Sequence, residues 1–490
     1  MASVRDDVLR ERLREANPWW RAVAGGGDAR EWAKADRMLR GREPFDLGYR
    51  TAILDDVAHG VVDDKLIVLR GPRRVGKSVA LKDVALSICT RSDIDPRQLI
   101  YFAGDGMSRQ DLHRAIKLAR DLTRPIDPAP RVWLLDEITG IPNWTVELKN
   151  LRDNTLLGED TVVCTGSSWD GSSNVERDLF AGRSGVSVTN RSRTLHPMSF
   201  RNVVAITDRD ISMPEVVHPW ELQASYVGSV VTSLNPFIDE FDLAWQSYLT
   251  SGGFPRAVAE QHRDGMVSDT FLHDIAAWLH RDVDPSAAAD SVSNLLCAIE
   301  QHASSPLSRN SLSEELGYPN PAAFDKRLHR LVHAFAALWC HQVDGDGERI
   351  TGSQSKLYLS DPLLAWVGPR LRSGLPSPDF TRLTEMALAT SLARAVDRLQ
   401  PGRWEDGTAI GYLRTGAGNE IDLSPMPVPS SAGREYTVPI EAKWVATGWR
   451  SEAKTIEGKF ERGILATRAI LNTDNLSWAL PAPLLALLLE

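Results

Sequence analysis

The chain has little cysteine. Cys89, Cys164, Cys297 and Cys340 are its 4 thiols in 490 residues; they lie far apart, form no C-x-x-C pair and give no zinc-ligand spacing. A small disulfide scaffold is excluded, and reduced, buried thiols in a cytoplasmic protein are the expectation. No run of about 18 uncharged apolar residues occurs, so no membrane span is expected. The N-terminal MASVRDDVLRERLREANPWW lacks the apolar core of a signal peptide. The apolar tail from Trp478 to Leu489, WALPAPLLALLL, is short and interrupted by prolines. It is expected to pack as a terminal helix on its own domain. Positive charge is not in excess: Lys plus Arg is 56, Asp plus Glu is 65, and the net charge is −9. A basic coat over the whole protein is thereby excluded, while a local basic face is not. Internal repeats and long low-complexity tracts are also missing.

What remains is an ordinary globular balance of 42% hydrophobic and 25% charged residues. A chain of this length suggests about three or four domains. Residues 1–45 read as a charged helical arm carrying Trp19, Trp20 and Trp32, split by Gly25-Gly26-Gly27. From Lys65 the texture changes. LIVLR, RQLIYF (97–102), RVWLLDE (131–137) and TVVCTGSS (161–168) read as strands alternating with helical runs. That alternation predicts a parallel α/β sheet covered on both faces. After about residue 205 the strands fade, and 215–290 reads as helical with a break at SGGFPR (251–256). From about 376 the pattern is α/β again, with a helix at 380–399 and strands near 409–414, 420–424 and 437–443. SPMPVPSSAG (424–433) reads as a loop rich in Pro and Ser.

Gly71-Pro72-Arg73-Arg74-Val75-Gly76-Lys77-Ser78 matches G-x-x-x-x-G-K-[ST], between a strand and a helix that continues through Val79. Such a loop cradles phosphates on backbone N–H groups at a helix N-terminus. These residues are the candidate ATP-binding set, with Lys77 directed at the β- and γ-phosphates and Ser78 at Mg²⁺. Leu134-Leu135-Asp136-Glu137 ends the next strongly apolar strand. Asp136 is expected in the Mg²⁺ shell and Glu137 on the attacking water. The polar residues of Thr165-Gly166-Ser167-Ser168, Ser167 among them, are candidates to sense the γ-phosphate or place water. Otherwise they are a plain strand-end turn. Arg183 in FAGRSG (180–185) is a candidate finger, from the same chain or from a neighbouring copy, or else a surface arginine.

RGPRRVGKS (70–78), LLDEITGIPNW (134–144), LKNLRDN (148–154), CTGSS (164–168), FAGRSG (180–185) and LHPMSFRNVV (195–204) follow one another in order. In this the chain resembles the prokaryotic AAA-type ATPases whose C-terminal part is the DUF4143 module. YLTSGGFPRAV (248–258) resembles that family's lid segment and SKLYLSDPLLAW (355–366) its link into the last domain. The resemblance runs from about 46 to 445 and is poor over 205–240. It implies ATP binding and a role for Arg183 in the site.

The resulting domain expectation is an arm at 1–45, an AAA-type P-loop core at 46–210, a helical lid at 211–290, a winged helix at 291–372 and a PD-(D/E)XK nuclease-like domain at 373–490. In the winged helix VSNLLCAIEQHA, SRNSLSEELGY and NPAAFDKRLHRLVHAFAAL are the three helices. Ser311 or Ser313 is the expected cap of the second, and Phe324, Leu328, Leu331 and Phe335 an apolar stripe on the third. Lys326, Arg327 and Arg330 lie off that stripe, as candidate DNA contacts or as a solvated face. In the last domain Glu385, Asp422, Glu441 and Lys443 resemble the nuclease core. There two carboxylates hold Mg²⁺ and a lysine orients water. Glu441 and Lys443 share a strand face by their spacing of two. Such folds also persist as inactive binding modules. The expectation is an Mg²⁺-dependent ATPase acting on duplex DNA, with an ATP-regulated nuclease and a protein-directed switch as alternatives. An AAA-type ring of identical subunits and a monomer that opens and closes both remain open.

Overall fold

The computed structural model describes residues 4–153, 156–167, 192–208, 211, 213–286, 288, 290–318, 320–416, 418–445 and 447–490. The chain forms two compact units, Met1–His196 and Pro197–Glu490.

The first unit is built on a wholly parallel sheet. Its strands are β1 (Leu66–Arg70), β2 (Leu99–Ala103), β3 (Val132–Asp136), β4 (Thr161–Thr165) and β5 (Ser192–Thr194), in the order β2-β3-β4-β1-β5. β1, β3 and β4 are buried along their whole length, as apolar strands covered on two faces must be. Three residues of sequence Ser-Arg-Thr carry no apolar signature, so nothing in the sequence marks β5 as a strand. α1 (Asp6–Ala16) and α2 (Trp19–Ala24) belong to the arm. Between them the Asn17 carboxamide accepts from Tyr101 N (2.6 Å) and donates to Tyr101 O (2.9 Å). The indole N–H groups of Trp19 and Trp20 each donate to Leu99 O at 3.0 Å. The arm therefore hydrogen-bonds directly to β2. α3 (Arg37–Arg42) completes it. α4 (Asp55–Ala58) precedes β1, and α5 (Lys77–Thr90), α6 (Arg109–Leu122) and α7 (Trp144–Asp153) follow the first three strands.

The second unit begins with α8 (Phe200–Thr207), α9 (Ser225–Ser233), α10 (Ile238–Ser251), α11 (Pro255–Asp264) and α12 (Asp269–Val283). The expected break falls between α10 and α11. Then come α13 (Ser291–Gln301), α14 (Arg309–Glu315), α15 (Pro321–His333) and an antiparallel pair, β6 (Ala337–Gln342) with β7 (Ser355–Leu359). After α16 (Pro362–Leu371) and the long α17 (Phe380–Leu399), β8 (Gly411–Arg414) and β9 (Glu420–Ile421) extend that sheet to the order β7-β6-β8-β9. β10 (Pro427–Ser430) and β11 (Gly433–Tyr436) form a separate ribbon. β12 (Ile440–Ala442), β13 (Gly463–Thr467) and β14 (Ser477–Pro481) form a parallel sheet, and an antiparallel bridge from Leu423 to Ile440 links β12 to the chain leaving β9. α18 (Ala482–Leu489) ends the described chain.

Four expectations need correction. The Pro/Ser-rich stretch 424–433 is not all loop, because Pro427–Ser430 pairs with Gly433–Tyr436. Proline is tolerated there because a two-stranded ribbon does not need every N–H. The apolar tail is half strand: Ser477–Pro481 pairs with β13 before the helix begins. The N-cap position of α14 falls on Ser308 rather than Ser311 or Ser313, and its hydroxyl meets that of Ser311 at 2.8 Å instead of a backbone N–H. α15 ends at His333, so Phe335 leaves the helical stripe through a left-handed turn (φ 58°) while remaining buried. Among the described residues no helix is long and apolar enough to cross a membrane.

Candidate functional site

The phosphate loop leaves β1 at Gly71, whose φ of 142° and approach to Leu195 O leave no room for a side chain. It closes at Gly76 (φ 97°), the N-cap of α5. Lys77 is buried at the first position of that helix. Its ammonium donates back to Gly71 O (2.9 Å) and Pro72 O (2.8 Å), inside the loop it belongs to. Pro72 and Val75 are buried, Arg73, Ser78 and Val79 half-buried and Arg74 exposed, with Arg74 in the left-handed region at φ 70°.

Asp136 is the hub. Its Oδ1 accepts from Ser78 Oγ at 3.0 Å and from Thr165 Oγ1 at 2.5 Å, and its Oδ2 accepts from Tyr101 Oη at 2.7 Å. β1, β2, β3 and β4 deliver these groups because adjacent parallel strands end at one level, with Ala103 opposite Asp136 in the register. Asp136 is buried at 2% exposure, and its hydrogen bonds come from these hydroxyls, while the charge of the carboxylate also acts on the buried ammonium of Lys82. Burial beside Asp136 pushes the Tyr101 hydroxyl far above the ordinary phenol value, which keeps it a donor. A hydroxyl and a carboxylate in mutual contact form a hard oxygen pair of the kind Mg²⁺ prefers, so these residues fit that ion. Glu137 lies one residue on, in the left-handed region at φ 52°. A glutamate there costs of order 1–3 kcal/mol and marks a backbone held by its surroundings. Its N–H donates to Thr165 Oγ1 (3.0 Å), and Ser167 Oγ donates to its carboxylate at 3.3 Å. The structure thus brings Lys77, Ser78, Asp136, Glu137 and Ser167 together. Arg183 and Ser168 lie outside the described residues.

The acids of the second unit also meet, but around a lysine. Lys356 of β7 is wholly buried, with its Nζ 2.6 Å from Glu420, 2.9 Å from Asp422 Oδ1 and 3.2 Å from Glu385. Tyr358, two residues on along the strand, donates to the same Glu385 oxygen at 2.7 Å. Beside them Lys443 sits 2.9 Å from Glu441 and 4.0 Å from Asp422 Oδ2. Burial would pull both ammoniums down, but the surrounding carboxylates push them above the usual lysine value. Burial, then Asp422, raises the Glu441 carboxyl to about 7 against the pull of Lys443. Among the described residues no group of three or more His, Cys, Asp or Glu side chains is arranged for a metal ion, and Glu385 and Asp422 bond Lys356 while Glu441 bonds Lys443. The ammonium of Lys356 stands where the acids converge.

The basic residues of α15 are differently disposed. Lys326 is exposed, Arg327 is paired with Asp284 at 2.6 Å, and Arg330 donates to Val283 O at 3.0 Å. Arg327 and Arg330 tie α15 to the end of α12 instead of forming an open basic face.

Tyr101 and Lys356 escaped the sequence reading. A tyrosine in an apolar strand passes for core. Lys356 had a signal: in Ser-Lys-Leu-Tyr-Leu it shares a face with Tyr358 inside an apolar strand, and a buried lysine requires acid partners.

A parallel sheet, a phosphate loop at the N-terminus of α5 and an acid pair at the end of β3 define a P-loop nucleotide-binding domain. Residues 63–204 match the family described as AAA domain, so the chain carries an AAA-type P-loop ATPase domain. Among solved structures it is similar to the Walker-type ATPase paby2304 of Pyrococcus abyssi, at 15% identity and TM-score 0.36 over 66% of this chain and 96% of that one. It is also similar to the ORC2 protein of Aeropyrum pernix, at 11% identity and TM-score 0.30 over 67% of this chain and 97% of that one. No curated protein matches.

Proposed function

We propose that the protein is an Mg²⁺-dependent ATP hydrolase whose nucleotide state directs a DNA-binding C-terminal half. In this reading 46–210 is the AAA-type core, 211–290 a helical lid, 291–372 a winged helix and 373–490 a nuclease-like domain of the DUF4143 kind. The observation that carries the ATPase is the meeting of Ser78 and Asp136 beside Lys77, with Glu137 next in the chain.

The loop N–H groups and the N-terminus of α5 bind the phosphates. Lys77 exchanges the carbonyls of Gly71 and Pro72 for the β- and γ-phosphates. Ser78 and Asp136 would hold Mg²⁺, which supplies positive charge to the transferring phosphoryl group. Tyr101 and Thr165 fix the Asp136 carboxylate. Glu137 orients the attacking water, and Ser167 steadies Glu137. Arg183 is the finger candidate, from this chain or a second copy. Lys326 on α15 is the exposed group for a phosphate backbone.

The second reading is a protein-directed switch, favoured by the engagement of Arg327 and Arg330 within their own unit. ATP turnover of wild type and Lys77→Ala, with and without duplex DNA at two salt concentrations, separates them. Turnover that needs Lys77 and rises with DNA in a salt-sensitive way supports the first. Turnover that needs Lys77 and ignores DNA supports the second. Turnover that survives Lys77→Ala refutes both.

A further inference from the structure

We propose that Lys356 is the resident cation of the C-terminal carboxylate cluster, and that this cluster takes no divalent metal and cleaves no phosphodiester. The argument rests on what occupies the carboxylates. Asp422 Oδ1 is on Lys356, and its Oδ2 accepts from Ala442 N at 3.1 Å. Glu385 Oε1 accepts from both Lys356 and Tyr358, and Ser304 hydrogen-bonds the same side chain. Glu441 Oε1 is on Lys443, and its Oε2 accepts from Asp422 N at 3.1 Å. Each of these acids is spoken for by a donor of the same unit.

The lysine cannot leave easily. Its side chain has no exposure, it is the second residue of β7, and β7 is paired along five residues with β6. A divalent ion entering among Glu385, Asp422 and Glu441 would meet a fixed positive charge at hydrogen-bond distance from two of the three. The attraction of the acids would then be offset by repulsion in a site with little water to screen it. Displacing Lys356 would bury an unpaired ammonium, which is more costly still. The cluster is a polar core that joins β7, α17, β9 with the chain after it, and β12, with Lys356 and Lys443 set among Glu385, Glu420, Asp422 and Glu441.

The test is Mn²⁺ binding to the nucleotide-free full-length chain, read from the electron paramagnetic resonance signal of free Mn²⁺. Wild type and Glu441→Gln are expected to give superimposable isotherms, so that any Mn²⁺ bound elsewhere cancels. Lys356→Gln is expected to gain a stoichiometric Mn²⁺ site that Lys356→Gln/Asp422→Asn loses. A stoichiometric site in wild type that Glu441→Gln removes overturns the proposal. So does a folded Lys356→Gln that gains none. If Lys356→Gln does not fold, the comparison of wild type with Glu441→Gln decides the matter alone. Loss of ATP turnover in Lys77→Ala bears on neither outcome, so this proposal and the ATPase reading fail separately.

Discussion

Asp136 in the first unit and Asp422 in the second each follow or end a strand, and they are completed in opposite ways. At Asp136 the hydrogen-bond donors are hydroxyls: Ser78, Thr165 and Tyr101 all donate, and the buried Lys82 feels the charge without a hydrogen bond to it. The negative charge stays available, and the nearby ammonium of Lys77 rests on carbonyls it can exchange. Around Asp422 the neighbours are ammoniums, and the charge is consumed inside the fold. A strand-end acid therefore reads as a ligand site only after its partners are known. Neutral donors leave it open, and a buried lysine bonded directly to it closes it.

The sharpest way to break the contrast is to remove the internal cation. Lys356→Met should destabilise the second unit by about 3–5 kcal/mol, because it leaves Glu385 and Asp422 buried without compensation. Chemical denaturation measures this, and ATP turnover per folded molecule should be unchanged. A loss under about 1 kcal/mol would mean that the acids take up protons instead. The complementary change is Glu137→Gln. It should cut turnover roughly a hundredfold or more, with ATP affinity retained and the melting curve unmoved. Equal turnover would remove Glu137 from the water-orienting role.

Tyr101→Phe is milder. Losing a hydrogen bond to a carboxylate should lower turnover by about tenfold, equivalent to roughly 1.5 kcal/mol. The Mg²⁺ concentration for half-maximal rate should rise more than the KM for ATP. A change in ATP KM alone would mean that Tyr101 only packs. The smallest effect is in pH. The Glu441 carboxyl has its native pKa raised from 4.5 to about 7, so the folded state holds more protons across that interval. Stability should therefore fall as pH rises from about 4.5 to 7, and Glu441→Gln should flatten that slope. A parallel slope in the variant would assign the titration elsewhere.

Legibility followed the same division. The phosphate loop, Asp136, Glu137 and β1 to β4 were readable because each rests on a local rule: loop spacing, strand burial, position after a strand. The helix from Phe380 to Leu399 was readable for the same reason. β5 was not, since its three residues are a strand only by pairing with β1. Nor was the closure of the C-terminal acids. Glu385, Asp422, Glu441 and Lys443 lie near one another, as the resemblance to the nuclease core implies, yet a further residue bonded to Glu385 and Asp422 comes from β7, 29 positions before Glu385. Local pattern finds ligands well and finds competitors for those ligands badly. Arg327 and Arg330 repeat the lesson, since their partners lie 43 and 47 residues away.

β2 is one of the two outer strands of the nucleotide-binding sheet, and an outer strand with open N–H and C=O groups is a template for a foreign chain. Asn17 fills both groups of Tyr101 with one side chain, and two indoles cover the carbonyl of Leu99. The arm thereby occupies part of this open edge, through side chains that imitate a neighbouring strand without being one.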